Sequence, residues 1–161
     1  MNFYWIKQAT EINEIIDYVL REKLGVIAIV HRGFPLISNL SVLENIMLVG
    51  SYHLAKDIKS LEDDIALYLK KFDMGLKVHF RKESLTEFED FVVRFLQARH
   101  SYFKFIFVID ELGKISEENR DRFLNVIDKE KNDNIVFIEY NRYKDYYRSY
   151  KTVTLGDYKI D

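Results

Sequence analysis

Asp110 and Glu111 close the run KFIFVIDEL, residues Lys104–Leu112. Five apolar residues, Phe105 to Ile109, lead into the acidic pair without a break. A short run rich in β-branched and aromatic residues reads as a strand buried on both faces, as in a parallel sheet. Carboxylates just past the carboxyl end of such a strand lie where open α/β sheets place their ligands. Two hard oxygen donors there could hold Mg²⁺, with Asp110 the candidate ligand.

Other residues could supply the partners of such a site. Lys7 and Thr10 precede an amphipathic stretch, and a helix N-terminus there could hold an anion such as phosphate. His31 and Arg32 follow the second strand-like run, in a loop that could reach a ligand. His53, His79 and His100 have no metal-ligand spacing and read as structural or surface residues. The segment Tyr140–Lys151 interleaves five tyrosines with Arg142, Lys144, Arg148 and Lys151. Aromatics among cations can stack on single-stranded bases. The net charge of −2 argues against nucleic acid, and an amphipathic helix packed on a sheet accounts for the same pattern.

The elements that would position these groups can be read in order. Phe3–Ile6 is strand-like. Thr10 is placed to cap a helix carrying Ile12, Ile15, Ile16, Val19 and Leu20 on one face, with Gly25 beyond its end. Val26–Val30 is a second buried strand. Ser41 and Glu44 form a capping box for a helix that runs to about His53. A helix follows from about Ser60 to Phe72, ended by Gly75, and then an extended link at Val78–Phe80. Leu85–Arg99 is helical, with Phe88, Phe91, Val92, Phe95 and Leu96 in its stripe. After the central strand, Ser116 opens a helix to about Lys129, Ile135–Glu139 is a strand and Tyr143–Ser149 a short helix. Val153–Leu155 and Tyr158–Ile160 flank Gly156-Asp157 as a C-terminal β-hairpin. Strands alternating with helices predict an α/β fold, a mostly parallel sheet with helices on both faces. The 161 residues suit one domain, 1–161, with 41–100 as an inserted helical subdomain.

Nearly half the residues are hydrophobic, which excludes a disordered chain. There is no cysteine, so disulfides and thiolate metal sites are excluded. The first residues lack the basic and apolar regions of a signal peptide, and no apolar run approaches the ~18 residues a membrane span needs. The expected setting is the cytoplasm.

Several stretches, collinear over about 34–160, resemble the ATP-binding subunit of an ABC transporter. FPLISNLSVLENIML (Phe34–Leu48) is similar to the segment after that family's Q-loop, where a TVxEN or SVxEN motif opens the helical subdomain. LEDDIALYLKKFDMG (Leu61–Gly75) resembles the helix ending in a valgL-like turn, and Leu85–Arg99 falls where the signature motif lies. Phe105–Glu111 looks like Walker B, Ile135–Asn141 like the strand leading to the switch histidine, and TVTLGDYKI (Thr152–Ile160) like the closing hairpin. The resemblance implies that Asp110 would hold Mg²⁺ and that Glu111 would polarise water if the site were active. It also implies that the loop residues Phe34, Pro35, Leu36, Ile37 and Leu40 line the groove that receives a membrane permease.

The departures from that family shape the functional expectation. Its glycine-rich G-x-x-G-x-G-K-[ST] loop is replaced by Lys7-Gln8-Ala9-Thr10, without glycine. The antiparallel subdomain that stacks adenine is missing between the first helix and the Q-loop. Arg32, or His31 in a shifted alignment, stands for the Q-loop glutamine. The signature LSGGQ aligns with Leu85-Thr86-Glu87-Phe88-Glu89, and the switch histidine with Asn141. Lys7, Thr10 and Arg32 are the remaining candidates to contact a nucleotide. The expectation is a non-hydrolysing pseudo-ATPase with no cofactor, Mg-ATP being disfavoured. It would partner an ABC-type permease or a true ATPase subunit, and would lie at the inner face of the membrane only through that partner. A homodimer is compatible with this. The alternative is a reduced Mg-dependent nucleotide-binding protein or nucleotidase that uses Asp110 and Glu111.

Overall fold

The computed structural model describes residues 2–51, 58–130 and 134–153. The chain divides into two compact units, one made of residues 1–29 and 104–161, the other of residues 30–103.

The first unit is built on a five-stranded sheet. Its strands are β1 (Asn2–Ile6), β2 (Ile27–Val30), β3 (Phe105–Ile109), β4 (Ile135–Tyr140) and β5 (Lys151–Thr152), in the spatial order β2-β3-β4-β1-β5. The pairings of β3 with β4, β4 with β1 and β1 with β5 are parallel. The alternation of side chains along each strand sends two apolar sets to opposite faces. On one face Ile6, Ile27, Phe107, Ile109, Val136 and Ile138 pack against Ile12, Ile15 and Val19 of helix α1 (Thr10–Glu22). On the other, Phe3 stacks on Phe137 at 5.1 Å, and Phe123 of helix α5 (Glu117–Asp128) meets Phe137 edge-on at 6.2 Å. Tyr147, 1% exposed, covers Phe3 at 4.6 Å.

The second unit holds helices α2 (Val42–Gly50), α3 (Ile58–Lys71) and α4 (Glu87–Arg99). Ser41 and Glu44 form the expected capping box, and Thr86 with Glu89 forms another at α4. His100 is buried, with Nδ1 2.8 Å from the Leu96 carbonyl and Nε2 3.2 Å from Asp64 Oδ2, a structural role for that histidine.

Several local expectations fail for physical reasons. Thr10 is the first helical residue of α1 and does not cap it; Ala9 holds the cap position without a side-chain bond. Helix α3 ends at Lys71, and Asp73, not Gly75, takes the left-handed conformation (φ 56°) while the Met74 N–H reaches the Leu69 carbonyl at 2.7 Å. An Asp tolerates that region better than most residues. Gly75 instead opens a 3₁₀ turn, and 78–79 is a turn, not an extended link. Residues 141–143 form a 3₁₀ turn followed by further turns, so the helix expected at Tyr143–Ser149 is absent. Ser116 does cap α5, accepting the Asn119 N–H. Helix α2 ends at Gly50 with Ser51 at its C-cap, short of the expected end near His53; His53 itself and the hairpin residues 154–160 lie outside the described residues.

Candidate functional site

Parallel pairing brings the ends of β3, β4 and β1 to one edge of the sheet in the first unit. Ile109 pairs with Ile138 and Ile6 with Tyr140, so Asp110, Glu139 and the β1–α1 turn share the carboxyl edge. Lys7, Thr10, Asp110 and Glu111 all lie at this edge.

Asp110 leaves β3 in the left-handed region (φ 50°) while its N–H still donates to the Ile138 carbonyl at 2.8 Å. Both acids are buried, Asp110 at 8% and Glu111 at 1% exposure. Asp110 Oδ2 lies 2.5 Å from Lys114 Nζ, one turn on. The Glu111 and Leu112 N–H groups donate to Glu139 Oε1 at 3.1 and 2.8 Å. Glu139 is fully buried in β4, and its Oε2 has no hydrogen-bond partner among the described residues. Burial, with the Asp110 carboxylate beside it, pushes the Glu139 carboxyl up to about 8. Glu139 is therefore uncharged near neutral pH. The Tyr143 ring lies where a Cβ on Gly113 would be, 2.8 Å away, and so covers the turn that follows Glu111. Sequence reasoning passed over Glu139, although one acid inside IVFIEY was a visible signal.

The β1–α1 turn is the second part of this edge. Only Lys7, Gln8 and Ala9 separate β1 from α1. The N–H groups of Lys7 and Gln8 both donate to Glu11 Oε1, at 2.8 and 2.9 Å. A carboxylate there is stabilised by two charge-assisted bonds and by the positive end of the helix. The turn thus closes on an acid from its own chain.

The second unit shows the same device at α4. Glu89 Oε2 accepts the Thr86 N–H at 2.9 Å, and its Oε1 pairs with Lys77 Nζ at 2.5 Å. Burial alone would raise the Glu89 carboxyl, but Lys77 and the Thr86 N–H hold it below its ordinary value. This helix start coincides with Leu85-Thr86-Glu87-Phe88-Glu89.

The expected docking loop also lies in the second unit. Phe34 and Ile37 are exposed, at 40% and 43%, and Pro35 is exposed. Leu36 is 5% exposed and belongs to the core of the unit, so it does not offer its side chain as the sequence suggested. Asn45, 1% exposed, organises the loop. Its Oδ1 accepts the Ile37 N–H at 2.9 Å, and its Nδ2 faces the carbonyls of Ile37, Leu40 and Ser41 at 3.0–3.2 Å. Next to this loop a cleft of about 290 Å³ is lined by Arg32, Pro35, Leu85 and the residues at the start of α4. Arg32 belongs to this cleft. His31 Nδ1 accepts the Gly33 N–H at 3.1 Å, which folds the histidine back onto its own loop.

The tyrosine-rich segment is largely engaged by the protein. Tyr147 is in the core, the Arg142 guanidinium lies 4.9 and 5.0 Å from the Tyr140 and Tyr143 rings, and Tyr146 donates to Asp121 at 3.0 Å. Asn141 is exposed at the end of β4. Among the described residues no three His, Cys, Asp or Glu side chains are grouped to hold a metal, and no helix is long and apolar enough to cross a membrane.

A parallel α/β sheet with a helical unit inserted between β2 and β3 is the fold of ABC transporter ATP-binding cassettes. Solved structures that share it include a metal-chelate type ABC transporter in an inward-facing conformation, with a TM-score of 0.65 and 18% identity over 86% of this chain and 61% of that one. The cassette MJ0796 matches as a dimer, with a TM-score of 0.62 and 15% identity over 81% of this chain and 57% of that one. Its post-hydrolysis state with ADP and Pi matches with a TM-score of 0.62 and 16% identity, over 83% and 57%. The chain therefore spans less than two thirds of the length of these structures. No family model and no curated protein sequence matches it.

Proposed function

We infer that the chain is a non-hydrolysing, ABC-cassette-like protein that serves as a structural or regulatory partner of an ABC-type membrane permease or of a true ATPase subunit. The observation that carries this reading is the β1–α1 turn: three residues long, without glycine, with the Lys7 and Gln8 N–H groups bound to Glu11. A phosphate cradle needs those donors aimed outward and backbone free of Cβ atoms. Here a carboxylate occupies the donors and would repel a phosphate. The residues present do not fit a Mg-nucleotide in other respects either. Lys114 engages Asp110, Glu111 is buried, and α4 begins with Glu87 and Phe88 in place of the signature glycines and Glu89 in place of its glutamine. No hydrolytic step through the nucleotide is assigned to Glu111.

The partner-binding half of the reading is supported by the second unit. Asn45 fixes a loop that exposes Phe34, Pro35 and Ile37 beside an open cleft. Contact with a permease at this loop would place the protein at the membrane surface without inserting it. The reduced-nucleotidase alternative rests on Asp110 and Glu111 keeping their place at the sheet edge. Phosphate release from Mg-ATP distinguishes the two. The expected rate equals that of buffer; turnover lost in Asp110→Asn or Glu111→Gln would overturn the non-hydrolysing reading.

A further inference from the structure

The segment between α3 and α4 in the second unit carries a pattern that neither the sheet edge nor the docking loop uses. Residues 76–82 read LKVHFRK: Leu76, Val78 and Phe80 alternate with Lys77, His79 and Arg81, and Lys82 follows. Three Lys and Arg side chains stand here without an acid, in a chain whose net charge is −2. The segment is not a strand that could turn its apolar residues inward. It opens in the 3₁₀ turn Gly75–Lys77, and 78–79 form a further turn. Leu76 is therefore 95% exposed and Phe80 43% exposed, with His79 and Arg81 exposed beside them. The backbone of the turn is bonded from within. The Lys77 and Phe80 N–H groups donate to the Met74 and Lys77 carbonyls, both at 2.9 Å. The Val78 and Phe80 carbonyls accept the N–H groups of Leu43 and Val42, at 3.1 and 2.8 Å, at the start of α2.

We propose that this turn rests directly on an anionic lipid surface, with Leu76 and Phe80 entering the headgroup layer and Lys77, Arg81 and Lys82 drawn to its charge. A leucine that exposed has no wall of its own protein to pack on, and a deformable apolar layer can surround it. Backbone groups already bonded within the protein can approach that layer without losing partners in water. Lys and Arg stems lie along apolar surface while their heads stay at the phosphates. Lys77 also holds Glu89 at 2.5 Å, so Arg81 and Lys82 carry the larger part of the attraction. Nucleic acid fits less well, because Leu76 offers no face on which a base can stack. An acidic peptide would meet the cations and leave Leu76 in water. The contact needs no permease and does not depend on what the sheet edge binds.

The test is co-sedimentation of the intact protein with vesicles of phosphatidylcholine, alone or with about one-third phosphatidylglycerol. At low salt the protein should sediment with the mixed vesicles and stay in solution with phosphatidylcholine alone, and roughly 0.5 M salt should release most of it. Leu76 is too exposed for Leu76→Ser to disturb folding, and the change should weaken the mixed-vesicle partition about tenfold. Arg81→Gln should weaken it about fivefold. In Leu76→Trp the added indole emission should shift to the blue on the mixed vesicles, beyond any change in the parent, whose one tryptophan is Trp5. Equal sedimentation with phosphatidylcholine alone, a partition unchanged in Leu76→Ser, or an indole that keeps its water emission on the bound protein would overturn the proposal. Failure to sediment with the mixed vesicles would overturn it as well, and binding of polyglutamate or a single-stranded oligonucleotide in its place would give the turn to an acidic macromolecule. Hydrolysis of Mg-ATP would remove the non-hydrolysing reading and leave this result standing.

Discussion

The carboxyl edge of the sheet and the cleft of the helical unit treat charge in opposite ways. At the sheet edge, acids are engaged from within: Glu11 by turn N–H groups, Asp110 by Lys114, and Glu139 through Oε1 by two N–H groups, with burial favouring its protonated form. In the cleft, Arg32, Lys82 and Arg94 line an open depression together with two acids. The first region has turned its polar groups on itself, and the second presents them. A protein that had kept nucleotide chemistry would be expected to show the reverse at its sheet edge, since a ligand site needs donors left for the ligand.

This contrast can be broken or sharpened by mutation. The largest effect is expected at Glu139. Its folded-state carboxyl is raised from the ordinary value of 4.5 to about 8, so the folded state binds the extra proton. The stability this provides is fully present below about pH 4.5 and is lost as pH rises to about 8. The unfolding free energy from urea titration should therefore fall across that window by several kcal/mol in total, with an upper bound of about 5 kcal/mol at 1.36 per pH unit. Glu139→Gln keeps the acceptor for Glu111 and Leu112 and should flatten the pH profile. A variant as pH-dependent as the parent would place the proton elsewhere.

Asn45→Ala should be next, at about 2–4 kcal/mol, because it removes a buried side chain and its whole set of bonds to the loop, those to the Ile37 N–H and the Leu40 carbonyl among them. Denaturation gives the energy, and faster amide exchange confined to 36–41 would tie the loss to the loop. Glu11→Ala and Glu89→Ala form a matched pair, each expected to cost about 1–2 kcal/mol through lost N–H acceptance at a helix start. Glu11→Ala should gain no affinity for Mg-ATP, since a three-residue turn without glycine remains. Acquired binding would mean that the carboxylate alone had closed the site. Lys114→Ala is the smallest, at about 0–1 kcal/mol, because Lys114 is 31% exposed and water screens the pair.

The order of strands and helices was legible because apolar periodicity reports burial directly. KFIFVIDEL as a buried strand (interior, with β4 and not β3 at the centre of the order), the caps at Ser41 and Ser116, and the stripe of α4 are all local patterns. Asp73 in place of Gly75 as the turn residue was not, since the end of α3 depends on where Phe72 and Met74 can be buried. The segment 143–149 carried helical spacing, but Tyr147 is drawn onto Phe3, and that contact overrides local propensity. At the sheet edge, Asp110 and Glu111 could be placed from sequence, whereas their partners could not. Lys114, Glu139 and the Glu11 closure depend on register and turn length. Arg94 was visible as a cation inside an apolar stripe, but only the fold puts Arg32 and Lys82 in the same cleft.

The claim that the sheet edge is closed to nucleotide is tested most directly by calorimetric titration of the intact protein with Mg-ATP. The account predicts only heats of dilution into the millimolar range, for the protein and for Asp110→Asn alike. Saturable sub-millimolar binding that Asp110→Asn abolishes would contradict it.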